Sequence, residues 1–137
     1  MQDQQVDLLV LSPGPATPSQ FAMADTIELA LQKHVAIFGV CLGLQGIVEY
    51  FGGELIELDY PMHGKPSRIS HQGTDLFTGV ASEFTAGRYH SLIAHSVPDC
   101  LRVTAQTVAA ENGGGIKAVE APVVMAIEHQ SLPIRAV

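Results

Sequence analysis

A single cysteine lies between two glycines in the segment Gly39-Val40-Cys41-Leu42-Gly43. Residues 35–40 (VAIFGV) form a short apolar run typical of a buried strand, and residues 42–51 have the pattern of a helix that ends at two glycines. A nucleophile on such a strand-to-helix turn has a strained backbone that exposes its side chain at the top of the sheet. The pattern admits two interpretations, a catalytic thiol or a free cysteine buried in the core.

The predicted turn favours nucleophilic chemistry at Cys41. Its sulfur would lie at the N-terminus of a helix, where the dipole stabilises a thiolate and lowers the pKa of the cysteine. The backbone N–H of Leu42 would be free to bind an oxyanion that develops on a substrate. The second cysteine, Cys100, has no such setting and is interpreted as structural.

The remaining pattern predicts an α/β fold with a parallel, helix-covered sheet. Residues 6–11 form an apolar strand, residues 12–18 (SPGPATP) a rigid loop, and apolar residues then recur at helical spacing at Phe21, Ala24, Ile27 and Leu31. The other predicted elements are strands at 54–58, 84–94, 101–108, 123–128 and 133–137, a loop at 61–69 and a turn at 111–115.

Composition narrows the class of protein. The chain has 137 residues, of which 47% are hydrophobic and 15% charged, as expected for one globular domain. The formal charge of −7 argues against nucleic acid or an anionic membrane as a partner. No signal peptide or membrane-spanning run is evident, so we expect a cytoplasmic protein with two free thiols and no metal site.

Taken together, several segments resemble the class I, triad-type glutamine amidotransferases. Within that family the chain looks most like the glutaminase component of anthranilate synthases, and it shares much with the glutaminase of aminodeoxychorismate synthases. The segments that carry the resemblance are LSPGPATP (11–18), GVCLGLQGIVEYFGGEL (39–55), PMHGKPSRI (61–69), GRYHSL (87–92) and MAIEHQSLPIRAV (125–137). The resemblance implies a three-layer, flavodoxin-like, mostly parallel sheet with helices on both faces, present here as one partial domain over residues 1–137.

The resemblance also implies roles for individual residues. Cys41 would attack the side-chain amide of L-glutamine, form a thioester and release ammonia to a chorismate-using synthase subunit or fused domain. The substrate-binding residues would be Gly14, Pro15 and Ala16 in the proline-rich loop, Leu42 and Gln45 after the cysteine, and Ser91 and Leu92. The glutaminase step would need no cofactor and no metal.

Two departures from the family pattern affect these expectations. The family's catalytic histidine and glutamate lie in a segment resembling V-Q-F-H-P-E-S, and this chain ends at Val137, where that segment would begin. Of the six histidines, His90 is the best placed to substitute, but a structural role is the more common one for such a residue. The family has glycine where this chain has Ala16, which matters only if the backbone there has a positive φ.

Two alternative functions stay open at this point. The chain could be a non-catalytic interaction module that keeps the fold and the glutamine pocket. It could also be an unrelated cysteine hydrolase with a similar turn.

Overall fold

The computed structural model describes residues 5–58, 63–108 and 122–137 of the chain. Its two α-helices are Met23–Gln32 (α1) and Leu42–Tyr50 (α2), and short 3₁₀ turns cover Pro18–Phe21 and Asp75–Phe77. The strands are Leu8–Leu11 (β1), Ala36–Gly39 (β2), Glu54–Glu57 (β3), Lys65–His71 (β4), Glu83–Arg88 (β5), Leu92–Ser96 (β6), Leu101–Thr107 (β7), Val124–His129 (β8) and Ile134–Ala136 (β9).

Seven of the described strands form one sheet in the order β1-β2-β9-β8-β7-β4-β5, and β3 pairs with β6 in a second, antiparallel sheet. Only the β1–β2 and β2–β9 pairs are parallel. The other four neighbouring pairs of the large sheet are antiparallel. The sheet is therefore mixed, and the expectation of a mostly parallel sheet is wrong.

The lengths of the connections explain the mixed sheet. A helix connects β1 to β2, which is the connection that parallel neighbours need. By contrast, four residues join β8 to β9, and so short a connection can only reverse the chain. Local pattern indicates strand positions here, but the direction of pairing follows from these connections.

Both described helices pack on one face of the parallel strands. Alternate residues of a strand point to opposite faces, and Leu9 and Leu11 of β1 belong to the main core together with buried residues of α1 and α2. On the opposite face Leu8 is 52% exposed and Val10 is 54% exposed. In the described part of the chain helices therefore cover one face of β1, not both. Neither described helix has the length and apolar character to cross a membrane.

The first helix begins later than its apolar spacing predicts. Its buried residues are Met23, Ile27 and Ala30, whereas Phe21 lies in the preceding 3₁₀ turn and is 52% exposed. Ala22, between the two, has a φ of 49°. This left-handed residue ends the 3₁₀ turn and reorients the chain, so the helical face starts at Met23 and not at Phe21.

Two other predicted elements differ from the structure. Residues 65–69, predicted as loop, belong to β4, and Pro66 is tolerated there because the first half of β4 pairs with β5 alone. The single strand predicted at 84–94 is interrupted at residues 89–91, where the chain leaves the large sheet and enters the small one. The turn predicted at 111–115 lies outside the described residues.

Candidate active site

The cysteine turn has the predicted strained backbone. Cys41 has φ 55° and ψ −99° and immediately precedes α2. Strands on either side hold it in place, because Val40 donates its N–H to the Leu11 carbonyl (2.9 Å) and Cys41 donates its N–H to the Val137 carbonyl (2.8 Å). A strained non-glycine residue fixed from both sides is the geometry expected of a nucleophile turn.

The two glycines around Cys41 allow β1, β2 and α2 to approach closely. A Cβ atom on Gly43 would lie 2.4 Å from the Leu11 carbonyl oxygen, and a Cβ atom on Gly39 would lie 2.7 Å from the Gly43 carbonyl carbon. Neither space admits a methyl group. This close packing lets α2 start directly above the ends of β1 and β2.

Cys41 opens into a cavity of about 570 Å³ at this edge of the sheet. The cavity is also lined by Gly14 of the proline-rich loop, Gln45 of α2 and Leu92 at the start of β6. The cavity thus brings distant parts of the chain together around one thiol. Gly14 is 27 residues before Cys41 and 78 residues before Leu92. A cavity of this size suits a small ligand.

The other predicted substrate-binding residues lie beside this cavity. Pro15 and Leu42 line a neighbouring cavity of about 380 Å³, which Gly14 shares with the first one. Ala16 and Ser91 line neither of these two cavities. The structure thus brings four of the eight predicted site residues together and puts two more in the adjoining wall.

The side chain of Gln45 is held in the wall of the cavity by a hydrogen bond to a second lining residue. It is 6% exposed, and its Nε2 donates a hydrogen bond to the Leu92 carbonyl (3.0 Å). Ser91 is exposed, and its carbonyl accepts a hydrogen bond from the Leu58 N–H (2.7 Å). Of the two predicted residues Ser91 and Leu92, it is therefore Leu92 whose carbonyl accepts the hydrogen bond from α2.

The electrostatics of the thiol differ from the expectation based on the helix dipole. Burial raises the pKa of the Cys41 thiol above its ordinary value, and a hydrogen bond from the Leu42 backbone N–H offsets this by a smaller amount. Burial disfavours the charged thiolate, and at this position its effect on the pKa exceeds that of the Leu42 hydrogen bond. The expected lowering of the pKa is thus wrong, although the Leu42 N–H does point to the sulfur.

Comparison with known proteins identifies the family. The family described as "Glutamine amidotransferase class-I" matches residues 1–137. The chain belongs to the class I glutamine amidotransferase family. A crystal structure of a glutamine amidotransferase from Thermotoga maritima has the same fold, with a TM-score of 0.72 at 12% sequence identity over 100% of this chain and 58% of that one.

Curated relatives of this amidotransferase domain include proteins named as anthranilate synthases. The chain is 45% identical to the anthranilate synthase of Azospirillum brasilense over 139 residues, which cover 100% of this chain and 17% of that protein. It is 40% identical to aminodeoxychorismate/anthranilate synthase component 2 of Bacillus subtilis over 143 residues, which cover 100% of this chain and 66% of the relative. The chain thus spans under two thirds of the length of the relatives to which it is similar.

All six histidines of this amidotransferase domain lie in the described residues, and their contacts bear on the identity of the base. Three of them use ring nitrogens in hydrogen bonds to backbone groups: His71, His90 and His129. The other three are exposed: His34, His63 and His95. In the described part of the chain, these backbone hydrogen bonds of His71, His90 and His129 do not involve the Cys41 sulfur. The identity of the base stays a prediction.

Sequence reasoning missed one charged residue of the amidotransferase cavity. Arg88, at the end of β5, lines the cavity and is only 1% exposed. Its Nη1 donates to Ser67 Oγ (3.3 Å) and its Nε to His90 Nε2 (3.2 Å). Sequence alone predicts that an arginine in an alternating strand is exposed to solvent. The burial of Arg88 depends on the pairing of β5 with β4, which no local sequence signal reveals.

Ala16 of the proline-rich loop has a φ of 71°, so its backbone lies in the left-handed region, where alanine is strained. We expect Ala16→Gly to raise the free energy of unfolding by about 1 kcal/mol. Glycine relieves the strain of the left-handed region, which costs an L-residue about 1–2 kcal/mol. Part of this gain, about 0.4–1 kcal/mol, is lost because glycine makes the unfolded chain more flexible. Urea unfolding measures the change.

Ala22→Gly is the matched control for this variant. Ala22 is also exposed and left-handed, with a φ of 49°, but it lies at the start of α1. Both variants should gain stability. A loss of stability in Ala16→Gly alone would show that the methyl group makes contacts that outweigh its backbone strain.

Proposed function

We propose that this chain is the glutaminase part of an anthranilate-type synthase and that Cys41 is its nucleophile. One observation carries the proposal. A cysteine on a strained strand-to-helix turn opens into a cavity that also contains Gly14, Gln45 and Leu92. The family match over the whole chain supports this assignment over an unrelated cysteine hydrolase.

The proposed chemistry is amide hydrolysis through a thioester. The Cys41 sulfur forms a bond to the side-chain amide carbon of L-glutamine, the C–N bond breaks, and the thiol proton leaves on ammonia. Water then attacks the thioester, which releases glutamate and restores the thiol. The proposed base that carries the proton is a histidine of the segment that follows strand β9 in the family.

The proposed binding roles combine the walls of the two cavities with the family resemblance, on which the roles of Ala16 and Ser91 rest. The Leu42 N–H, which already points to the sulfur, donates to the oxyanion together with backbone N–H groups of Gly14 and Ala16, and Pro15, which has no N–H, fixes the loop between them. Gln45 and the backbone of Ser91 and Leu92 hold the amino acid end of glutamine. Polar groups at these positions select glutamine, because a ligand that leaves them unpaired would lose binding energy.

The proposed partner is a synthase subunit or fused domain that aminates chorismate in the cytoplasm. The name of the Azospirillum relative supports an anthranilate synthase, and hence tryptophan synthesis. The name of the Bacillus relative also includes aminodeoxychorismate, which keeps that acceptor as the alternative. No cofactor is assigned to the glutaminase step.

Covalent labelling tests the proposal. We expect a glutamine-analogue electrophile to label Cys41 saturably in the 137-residue chain, and L-glutamine, but not D-glutamine, to protect it. Cys41→Ala should abolish labelling. Cys100→Ala, which removes the other half-buried thiol, should leave labelling unchanged. Labelling that does not saturate, or that L-glutamine does not slow, would favour a non-catalytic module or an unrelated hydrolase.

A further inference from the structure

A chain of hydrogen bonds runs along one wall of the Cys41 cavity. Arg88 Nε lies 3.2 Å from His90 Nε2, and His90 Nδ1 lies 3.1 Å from the Leu92 carbonyl oxygen. The same carbonyl oxygen accepts the hydrogen bond from Gln45 Nε2 at 3.0 Å. These four residues all line the cavity.

The partners of His90 fix its tautomer. A guanidinium group can only donate hydrogen bonds, so Nε2 of the imidazole must be the unprotonated acceptor. A backbone carbonyl can only accept, so Nδ1 must carry the proton. Both contacts are made at once only by the neutral ring with Nδ1–H.

The Leu92 carbonyl determines how the Gln45 amide is oriented. A carbonyl oxygen has two lone pairs, and here His90 and Gln45 occupy them. Because the amide nitrogen of Gln45 is used in this bond, its oxygen is the atom left to accept a hydrogen bond from a ligand. A reversed amide would put two oxygens against each other and present the wrong group to the cavity.

We propose that His90, held in the Nδ1–H form by Arg88, is a positioning residue that fixes the Leu92 carbonyl and thereby aims the Gln45 oxygen at an N–H group of the bound glutamine. This inference rests on the proposed function, since it assigns the ligand of the cavity. His90 acts through Leu92 and Gln45. It contributes to ligand affinity and leaves the reactivity of the thiol unchanged.

Two substitutions separate the nitrogens of the ring. Asparagine puts its amide nitrogen near the position of Nδ1, so His90→Asn keeps the donor to Leu92. Glutamine reaches the position of Nε2, so His90→Gln keeps the acceptor for Arg88 but loses that donor. Labelling of Cys41 by the glutamine-analogue electrophile gives two constants. KI reports how well the cavity binds the electrophile, and kinact reports how fast the bound electrophile reacts with the thiol.

We expect His90→Gln to raise KI about 3- to 10-fold, the effect of one lost hydrogen bond, with kinact unchanged. His90→Asn should keep KI near that of the wild type. Equal KI values in the two variants, whether raised or not, would overturn the proposal, because the Leu92 donor would then not matter. Thermal unfolding of both variants tests whether the fold is retained.

Nitrogen NMR of the wild-type imidazole is independent of any variant. It should show a protonated Nδ1 and an unprotonated Nε2 for His90, and the opposite tautomer would overturn the proposal. Failure of the wild-type chain to label saturably would count against the proposed function instead. The two ideas can therefore fail separately.

Discussion

Fusing the family's histidine-bearing segment to the end of β9 is expected to raise the rate of glutamate release by about 10²–10⁴-fold, the usual contribution of a general base. The Val137 carbonyl accepts the Cys41 N–H at 2.8 Å, and Val137 lines the cavity. A segment that continues β9 therefore starts beside the thiol. Glutamate release from the chain with and without the added segment measures the effect.

The pH profile distinguishes a base from a general gain in stability. Burial raises the pKa of the Cys41 thiol, so without a base the rate should keep rising with pH through the ordinary range of a cysteine. With the added histidine, the rate should level off once the imidazole is neutral. The matched control is the same extension with glutamine in place of its histidine. Comparable rates for the two extensions would show that the base is already present within the 137 residues.

The N-terminal half of the fold could be predicted because its signals are local. The apolar runs of β1 and β2 are short and uninterrupted, and Gly43 directly follows the turn that it makes possible. The second half depends on pairing between distant residues. Pro66 and the break at 89–91 are compatible with several arrangements, and only the neighbours of β4 and β6 determine which one forms.

In the site, too, the features that depend on neighbouring residues could be predicted, and those that depend on distant residues could not. Gln45 lies one helical turn after Cys41, which immediately precedes α2, so the sequence alone indicates that the two residues face the same side. The contact between Gln45 and Leu92 joins residues 47 positions apart, and the burial of Arg88 requires β4 and β5 to pair. The pKa of the thiol was predicted in the wrong direction, because sequence reveals a helix end but not the depth of burial.

The close packing of the cysteine turn leads to the second large effect. We expect Gly43→Ala to lower the free energy of unfolding by about 2 kcal/mol or more and to slow labelling of Cys41. A Cβ atom would meet the Leu11 carbonyl oxygen at 2.4 Å and Leu11 Cβ at 2.8 Å, so either β1 or the start of α2 must move. Overpacking of this kind typically costs about 1–3 kcal/mol, and more where backbone is involved. Alanine recovers only about 1 kcal/mol through its better helix propensity.

Gly46→Ala is the matched control, because it makes the same change in the same helix and gains the same propensity. Its Cβ would meet the Met23 sulfur at 2.1 Å, which belongs to a flexible side chain that can turn away. If Met23 repacks, we expect Gly46→Ala to unfold at nearly the same urea concentration as the wild type. Whether or not Met23 repacks, Gly46→Ala should unfold at a higher urea concentration than Gly43→Ala. The Gly43 variant displaces the start of α2, next to Cys41. Its labelling rate should therefore fall by more than the decrease in the folded fraction at the assay temperature explains. If Gly43→Ala labelled as fast as the wild type, the reactivity of Cys41 would not depend on how closely α2 approaches β1.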